Sequence, residues 1–197
     1  MTLKRDKLKQ TQLRSTRVFV RTTGGSVEAP DGRVVSLGVD RFISAIAHGD
    51  ACFICGVAPA EKRFNDEHVI PNWILKRHEL HSRRLVTPNK ADLMYGRNTV
   101  PCCIECNALM ANSLEKPISE AFRGGYTAVC EFMRGEHGPL LFVWLASLFL
   151  KTHLKDRELR WNLDERAGGQ KIAECYDWAE FYHNSLRGSL VLLWLHA

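Results

Sequence analysis

An acid-histidine pair occupies the motif NDEHVIP (65–71) of this 197-residue chain. One Cys-x-x-Cys pair precedes the motif in CFIC (52–55), and a second follows it within CCIECN (102–107). Two such pairs can supply four thiolates to one tetrahedral zinc ion. Closing the chain between them would bring the acid-histidine pair close to the asparagine that follows the last cysteine. The pattern therefore predicts a metal-fastened hairpin.

The cysteines favour metal ligation over disulfides. Their number, seven, is odd, and the polar, charged N-terminus lacks the apolar segment of a secretory signal, which predicts the reducing cytoplasm. Cys102 is an alternative to Cys103, although Cys103 keeps the two-residue spacing to Cys106. Cys130 and Cys175 lie in apolar helical patterns and are predicted to be core residues. The predicted ligands of a structural Zn²⁺ are Cys52, Cys55, Cys103 and Cys106.

A zinc ion with four sulfur ligands has no open position for water, so catalysis here requires a second ion with oxygen ligands. Glu67 and Asn107 are the best hard-oxygen donors of the region. His68 is a candidate general base, because the unperturbed pKa of histidine lies near neutral pH. A buried core histidine is the alternative for His68. Its place beside an acid and inside the cysteine frame favours catalysis.

The order of these motifs resembles that of HNH endonucleases of the cysteine-containing kind, over residues 52–112. The resemblance implies a ββα-metal motif that holds one divalent ion at the scissile phosphate. By the same resemblance, His68 would polarise the attacking water, Glu67 and Asn107 would ligate Mg²⁺ or Mn²⁺, and Asn98 would brace the loop that carries the histidine. The chain also resembles uncharacterised bacterial HNH proteins. This similarity suggests a role in bacterial defence or in a mobile element, but it does not identify a substrate.

Two positions depart from the family pattern. Glu67 stands where aspartate is commoner, which leaves Asp66 as an alternative ligand. Asn107 stands where histidine is usual, which favours Mg²⁺ or Mn²⁺ over a tightly held transition metal. Neighbouring strand residues also point to opposite faces, so Glu67 and His68 require a bulge or a sharp twist in the strand, or an approach to the phosphate from two sides.

Basic residues are concentrated in two regions. Residues 1–21 carry seven bases against one acid and residues 62–97 carry eight against four, whereas the chain from 113 onward has ten bases and eleven acids. This distribution predicts a polyanionic partner, nucleic acid, with DNA favoured over RNA. A solvated basic surface is the alternative. The candidate backbone-phosphate contacts are Arg63, Arg77, Arg83, Arg84 and Arg97.

The predicted fold class is α+β, in three parts: a basic arm and β-hairpin over 1–50, the HNH ββα-metal nuclease core over 51–115, and a helical region over 116–197. The hairpin comprises strands at 17–21 and 33–39, and Asp40 is the predicted N-cap of a helix that ends near Gly49. Further helices are predicted over 71–81 and from Cys103 toward Leu114, with a strand at 99–100 before the latter.

The last part of the chain is predicted to be helical. Helices are expected over 118–123, 126–133, 140–153 and 172–186. The apolar run PLLFVWLASLFL (139–150) is too short for the roughly twenty residues that span a bilayer, so it predicts a buried helix and no membrane association. The apolar end SLVLLWLHA (189–197) predicts a strand, an interface with a protein partner or in a homodimer, or a chain shortened relative to its relatives.

The resemblance to HNH endonucleases implies a metal-dependent endonuclease, a hydrolase of phosphodiester bonds in nucleic acid. The alternative is a non-catalytic zinc-ribbon protein that binds nucleic acid or a protein partner and cuts nothing.

Overall fold

The computed structural model describes residues 18–32, 34–87 and 89–175. Within these ranges, small antiparallel sheets come first and a helical half follows, which is an α+β arrangement. The predictions for the basic arm before residue 18 and for the apolar end of the chain lie outside the described residues.

The first sheet has three strands, where the sequence predicts a hairpin of two. Strands β1 (Val20–Arg21), β2 (Val27–Glu28) and β3 (Val34–Ser36) pair antiparallel in chain order. Gly25 (φ 76°) and Gly32 (φ 80°) adopt the left-handed conformation that glycine allows in tight turns. Because the chain reverses at both turns, the residues between them form a strand of their own.

A short helix leads from this sheet toward the first cysteine pair. Helix α1 (Val39–Phe42) continues as a π-helical turn (Ile43–Ala47) and buries Phe42, Ile46 and Ala47 in the core. The prediction of Asp40 as N-cap is wrong, since Gly38 holds that position without a side-chain hydrogen bond. Asp40 lies in the first turn, where its charge still complements the positive end of the helix.

The centre of the fold is a pair of antiparallel strands followed directly by a helix. Strand β4 (Phe64–His68) pairs with β7 (Thr99–Cys103), and α3 (Ile104–Met110) begins at the next residue. Five consecutive residue pairs form the ladder without interruption, from Phe64 opposite Cys103 to His68 opposite Thr99. The segment between the strands contains α2 (Asn72–Arg77), the hairpin β5 (Arg84–Leu85) and β6 (Leu93–Met94), and a 3-10 turn (Tyr95–Arg97).

Helix α2 is shorter than the predicted 71–81. Its last residue is Arg77, because Glu79 takes a left-handed φ of 53° and the chain turns there. Pro71 lies at its N-cap, and Leu75 is fully buried.

The helical half follows α3 without a break. A π-helical turn (Ala111–Glu115) leads into the next helix, so the predicted helix from Cys103 toward Leu114 is confirmed. The helices predicted over 118–123, 126–133 and 140–153 are confirmed as α4 (Lys116–Arg123), α5 (Gly125–Arg134) and α6 (Gly138–Asp156). Two 3-10 turns come last (Glu165–Ala167 and Ile172–Cys175), and the rest of the helix predicted over 172–186 lies outside the described chain.

Helix α6 ties the helical half to the centre of the fold. Trp144 on α6 stacks on Trp73 of α2, with ring centroids 6.1 Å apart, and also contacts Phe122 of α4. Just beyond α6, the Arg157 guanidinium donates hydrogen bonds of 3.0 Å to the carbonyl oxygens of Ile46 and Gly49, close before the first cysteine pair. Among the helices described, none combines the length and apolar character needed to cross a membrane.

Candidate functional site

Four cysteine sulfurs converge where the second strand meets its helix. Cys52 and Cys55 lie on a tight turn closed by hydrogen bonds from Gly56 N to Cys52 O and from Cys52 N to Val57 O. Gly56 is required there, because its φ is 69° and a Cβ would lie 3.0 Å from the Leu37 side chain. Cys103 ends β7 as the N-cap of α3, and Cys106 lies in the first turn of that helix.

The geometry of this thiol group fits a tetrahedral metal ion. Sγ atoms of Cys52, Cys55, Cys103 and Cys106 all lie within 4.8 Å of one another, and those of Cys55 and Cys103 are 3.8 Å apart. Zinc-sulfur bonds of about 2.3 Å at tetrahedral angles place neighbouring sulfurs about 3.8 Å apart. The group can therefore hold a structural metal ion, and its all-sulfur donor set suits zinc.

Charge in the thiol group also favours a bound cation. Hydrogen bonds from Cys102 and then Cys106 lower the pKa of the Cys52 thiol, while its bond to Cys52 raises the pKa of Cys106. Without a cation, the Cys52 thiolate is thus stabilised, while Cys106 stays protonated. Four thiolates together require a compensating positive charge, which a divalent metal supplies.

Cys102, the alternative ligand, lies next to the group but not within it. Its Sγ is 3.8 Å from Sγ of Cys52, yet it does not share the mutual spacing of the other four. The preference for Cys103 over Cys102 agrees with this geometry. Of the two other cysteines, Cys130 is half-buried, and the prediction of Cys175 as a core residue is wrong, because it is exposed.

Glu67 and His68 project from opposite faces of β4, as the regular ladder requires. The ladder between β4 and β7 has no bulge, so a bulge does not bring Glu67 and His68 to one face of the strand. Glu67 is buried, and His68 is half-buried with its ring perpendicular to that of His81, at a centroid distance of 5.8 Å. Asp66, the alternative ligand, is exposed and shares its strand face with His68.

The partner of Glu67 is a lysine that the motifs of the sequence do not include. Lys151 of α6 is completely buried, and its ammonium donates 2.8 Å hydrogen bonds to Oε1 of Glu67 and to the backbone oxygen of His68. The sequence does contain a signal that this lysine is buried. Lys151 follows Trp144 by seven residues and Ser147 by four, so the helical period places it on the buried face of α6.

Asn107 comes close to β4 from the start of α3. Its Nδ2 donates a 3.0 Å hydrogen bond to Oδ1 of Asn65. Asn65 and Glu67 are two residues apart on the strand and therefore share a face. The structure thus places Asn107 on the Glu67 side of β4, with α3 packed against both strands.

Asn98 lies where the chain enters β7. Its side chain is buried, and its backbone oxygen accepts a 2.9 Å hydrogen bond from the nitrogen of Val69, the residue after His68. Its Oδ1 atom is buried without a hydrogen-bond partner in the described chain. Asn98 therefore contacts the end of the strand that carries the histidine through its main chain.

The five candidate arginines fall into two groups, although all are exposed. Arg77 donates to the backbone oxygen of Phe122 at 3.3 Å, and Arg84 pairs with Asp92 at 3.2 Å. The other three side chains make no hydrogen bond or ion pair within the described ranges, so they remain free to meet a phosphate: Arg63, Arg83 and Arg97.

Comparison of the chain with protein-family models, with curated proteins and with solved structures finds no match. Any functional assignment therefore depends on the residues of the site itself.

Proposed function

We propose that the chain is a divalent-metal-dependent endonuclease of the HNH type that hydrolyses phosphodiester bonds in nucleic acid, with DNA as the favoured substrate. One observation carries the proposal. Antiparallel strands β4 and β7 run directly into α3, and a four-cysteine group at the junction holds Asn107 beside the strand of the acid-histidine pair. A hydrolytic site for phosphodiesters needs a base, hard-oxygen ligands and a rigid frame, and this junction offers all three.

In this proposal, the cysteine group binds zinc and has a structural role. All four positions around such an ion are occupied by sulfur, so it cannot activate water. Its contribution is to fix the start of α3 against the segment before β4.

Oxygen ligands for the second ion, Mg²⁺ or Mn²⁺, would come from Glu67 and Asn107. Oε1 of Glu67 accepts a hydrogen bond from Lys151, so Oε2 would be the oxygen that holds the ion. Asn107 lies on the same side of β4 and offers its amide oxygen, because its Nδ2 is the atom that bonds Asn65. When bound, such an ion acts as a Lewis acid on the phosphate oxygens.

His68 performs the proton transfer. Its imidazole accepts a proton from the attacking water, whose oxygen forms the new bond to phosphorus. The bond from phosphorus to the 3′ oxygen breaks, and that oxygen leaves as a hydroxyl after it takes up a proton from solvent water. The products are a 5′ phosphate and a 3′ hydroxyl. Exposed arginines of the neighbouring surface contact the nucleic-acid backbone and give no sequence preference.

A second candidate function has one observation in its favour. The buried ion pair between Glu67 and Lys151 gives the glutamate a structural role that requires no catalysis. A zinc-ribbon protein that binds nucleic acid without cutting it would retain this pair, the cysteine group and the basic surface.

A plasmid-nicking assay separates the two functions. Purified full-length chain is incubated with supercoiled DNA in Mg²⁺, in Mn²⁺ and in EDTA, beside the same chain carrying His68→Ala. We expect nicking that needs the divalent ion and disappears with His68→Ala. Binding without nicking by the unmodified chain in both ions would favour the zinc-ribbon function.

A further inference from the structure

Lys151 is the one completely buried lysine in the described part of the chain, and both of its hydrogen bonds go to the acid-histidine pair. Its Nζ lies 2.8 Å from Oε1 of Glu67 and 2.8 Å from the main-chain oxygen of His68. The lysine comes from α6, eighty-four residues after the glutamate. A single ammonium group therefore holds the side chain of one residue and the backbone of the next.

The stability of the core does not explain this arrangement. Taking a lysine and a carboxylate out of water costs several kcal/mol per ion, and replacing a buried ion pair by apolar side chains is often neutral or stabilising. Most other buried positions of α6 are apolar, among them Val143, Trp144 and Leu150, although Ser147 and His153 are buried there too. Apolar residues at 67 and 151 together would suit this core, whereas an apolar residue at 151 alone would leave the buried Glu67 charge without a partner.

A second carboxyl group lies in the same buried region. Glu115 is close enough for its charge to interact with Lys151 and Glu67, and its Oε1 is buried without a hydrogen-bond partner in the described residues. The lysine is thus near two carboxyl groups but bonds only one of them, the residue that precedes His68. Of these two carboxyl groups, only Glu67 is placed to accept a hydrogen bond from Lys151.

We propose that Lys151 is a positioning residue, which orients Glu67 through Oε1 and fixes the backbone of His68, so that α6 forms part of the working site. The proposal rests on the proposed nuclease function for its catalytic consequence, although the positioning itself does not depend on cleavage. Lys151 touches neither substrate nor ion. It acts on both residues of the pair from α6, through the Glu67 side chain and the His68 backbone.

Replacing Lys151 by methionine keeps an unbranched side chain that is one atom shorter and removes both hydrogen bonds. Partners that orient metal ligands typically contribute 10- to 100-fold to metal affinity or activity. We expect Lys151→Met to lower kcat by about 10- to 100-fold and to raise the Mn²⁺ concentration at half-maximal activity. KM for DNA and the zinc content should not change, because neither the exposed arginines nor the cysteines contact Lys151.

Lys155→Met is the matched control. Lys155 lies one turn further along α6 and pairs with Glu158 near the surface, so the same change of residue leaves β4 untouched. A structural effect of losing a lysine from α6 would lower the melting temperature or the active fraction without moving the Mn²⁺ requirement. A shift in the Mn²⁺ requirement in Lys151→Met alone therefore indicates positioning.

A second measurement tests positioning without reference to cleavage. Imidazole NMR signals of His68 and His78 are compared in the unmodified chain, in Lys151→Met and in Lys155→Met. We expect a shift of the His68 signals in Lys151→Met only, with His78 unchanged in all three. If Lys151→Met does not fold, the Nζ resonance of Lys151 in the unmodified chain serves instead, and it should move on Mg²⁺ addition while that of Lys155 stays.

The outcomes distinguish the two proposals. If the unmodified chain cleaves DNA and Lys151→Met changes neither the His68 signals nor the Mn²⁺ requirement, the positioning role is overturned and the nuclease stands. Where the His68 signals shift but the unmodified chain does not cleave, the nuclease is overturned and the positioning role stands. If the unmodified chain cleaves DNA but the Nζ resonance of Lys151 does not shift when Mg²⁺ is added, the positioning role is also overturned.

Discussion

Sγ of Cys55 lies 3.8 Å from Sγ of Cys103, although the two residues are 48 positions apart in the chain. This distance equals the sulfur-sulfur spacing of about 3.8 Å around tetrahedral zinc. The contact also fastens the turn before β4 to the start of α3, so a metal ion here would hold both ends of the proposed active site.

Zinc removal should therefore unfold the centre of the protein. Structural zinc contributes on the order of 10 kcal/mol in small modules. We expect elemental analysis to find one zinc per chain in the unmodified protein. We expect Cys106→Ser to contain no zinc and to lose the cooperative thermal transition of the unmodified protein. Cys130→Ser is the control, because Cys130 is outside the thiol group. Freshly purified reduced chain without zinc would contradict this prediction.

Replacement of His68 should affect chemistry alone. His68→Ala removes the proposed base but no thiol ligand and no positive side chain, so cleavage should fall by roughly 10²- to 10⁴-fold while zinc content and DNA affinity remain. His78→Ala provides the matched control, since His78 is exposed at the end of α2. Equal cleavage by both variants would remove His68 from the active centre, and unfolding of His68→Ala would restore its role as a core residue.

The two acids before His68 can be told apart by their ion requirement. Glu67 shares a strand face with Asn65, the partner of Asn107, whereas Asp66 lies on the other face. We expect Glu67→Gln to raise the Mn²⁺ concentration at half-maximal cleavage, and Asp66→Asn to leave it unchanged. The opposite result would make Asp66 the ligand, on the side of His68.

Arginines with and without protein partners should differ in their effect on DNA binding. Loss of Arg83 or Arg97, whose side chains have no partner in the described chain, should weaken binding to all sequences and reduce the salt slope by about one each. Arg77→Ala should instead lower the melting temperature, because it removes a bond to the Phe122 carbonyl. Salt-dependent titrations check this, and an unchanged slope in Arg83→Ala and Arg97→Ala would mean that these arginines are only solvated.

Glu115 makes stability depend on pH in the direction opposite to that of most acids. Burial raises its pKa from 4.5 to about 7, against the opposing charge of Lys151. The folded chain then binds more protons than the unfolded chain between these values, so this group lowers stability as pH rises from about 4.5 to 7. Glu115→Gln should add up to about 3 kcal/mol to the free energy of unfolding at pH 8 and little at pH 4. Chemical denaturation at both pH values measures the difference, and equal gains at both would contradict it.

The sequence alone identified the features that depend on neighbouring residues. The spacing in CFIC (52–55) and CCIECN (102–107) marked the thiol group, because two residues between cysteines suit chelation of one ion by a single turn. The helical period of the apolar residues located α4, α5 and α6, and Pro71 lay at the start of α2. Boundaries were less accurate where a left-handed residue such as Glu79 ended an element.

Tertiary structure decided the rest. The strand Val27–Glu28 formed because two turns left it between partners, and its own residues carry no marked strand pattern. Cys103 joined the thiol group rather than Cys102 through its place at the junction of strand and helix. Lys151 forms a hydrogen bond with Glu67, which lies eighty-four residues earlier in the chain. A buried charge needs a partner of opposite sign, but only the packing of α6 against the sheet determines which one comes within 3 Å.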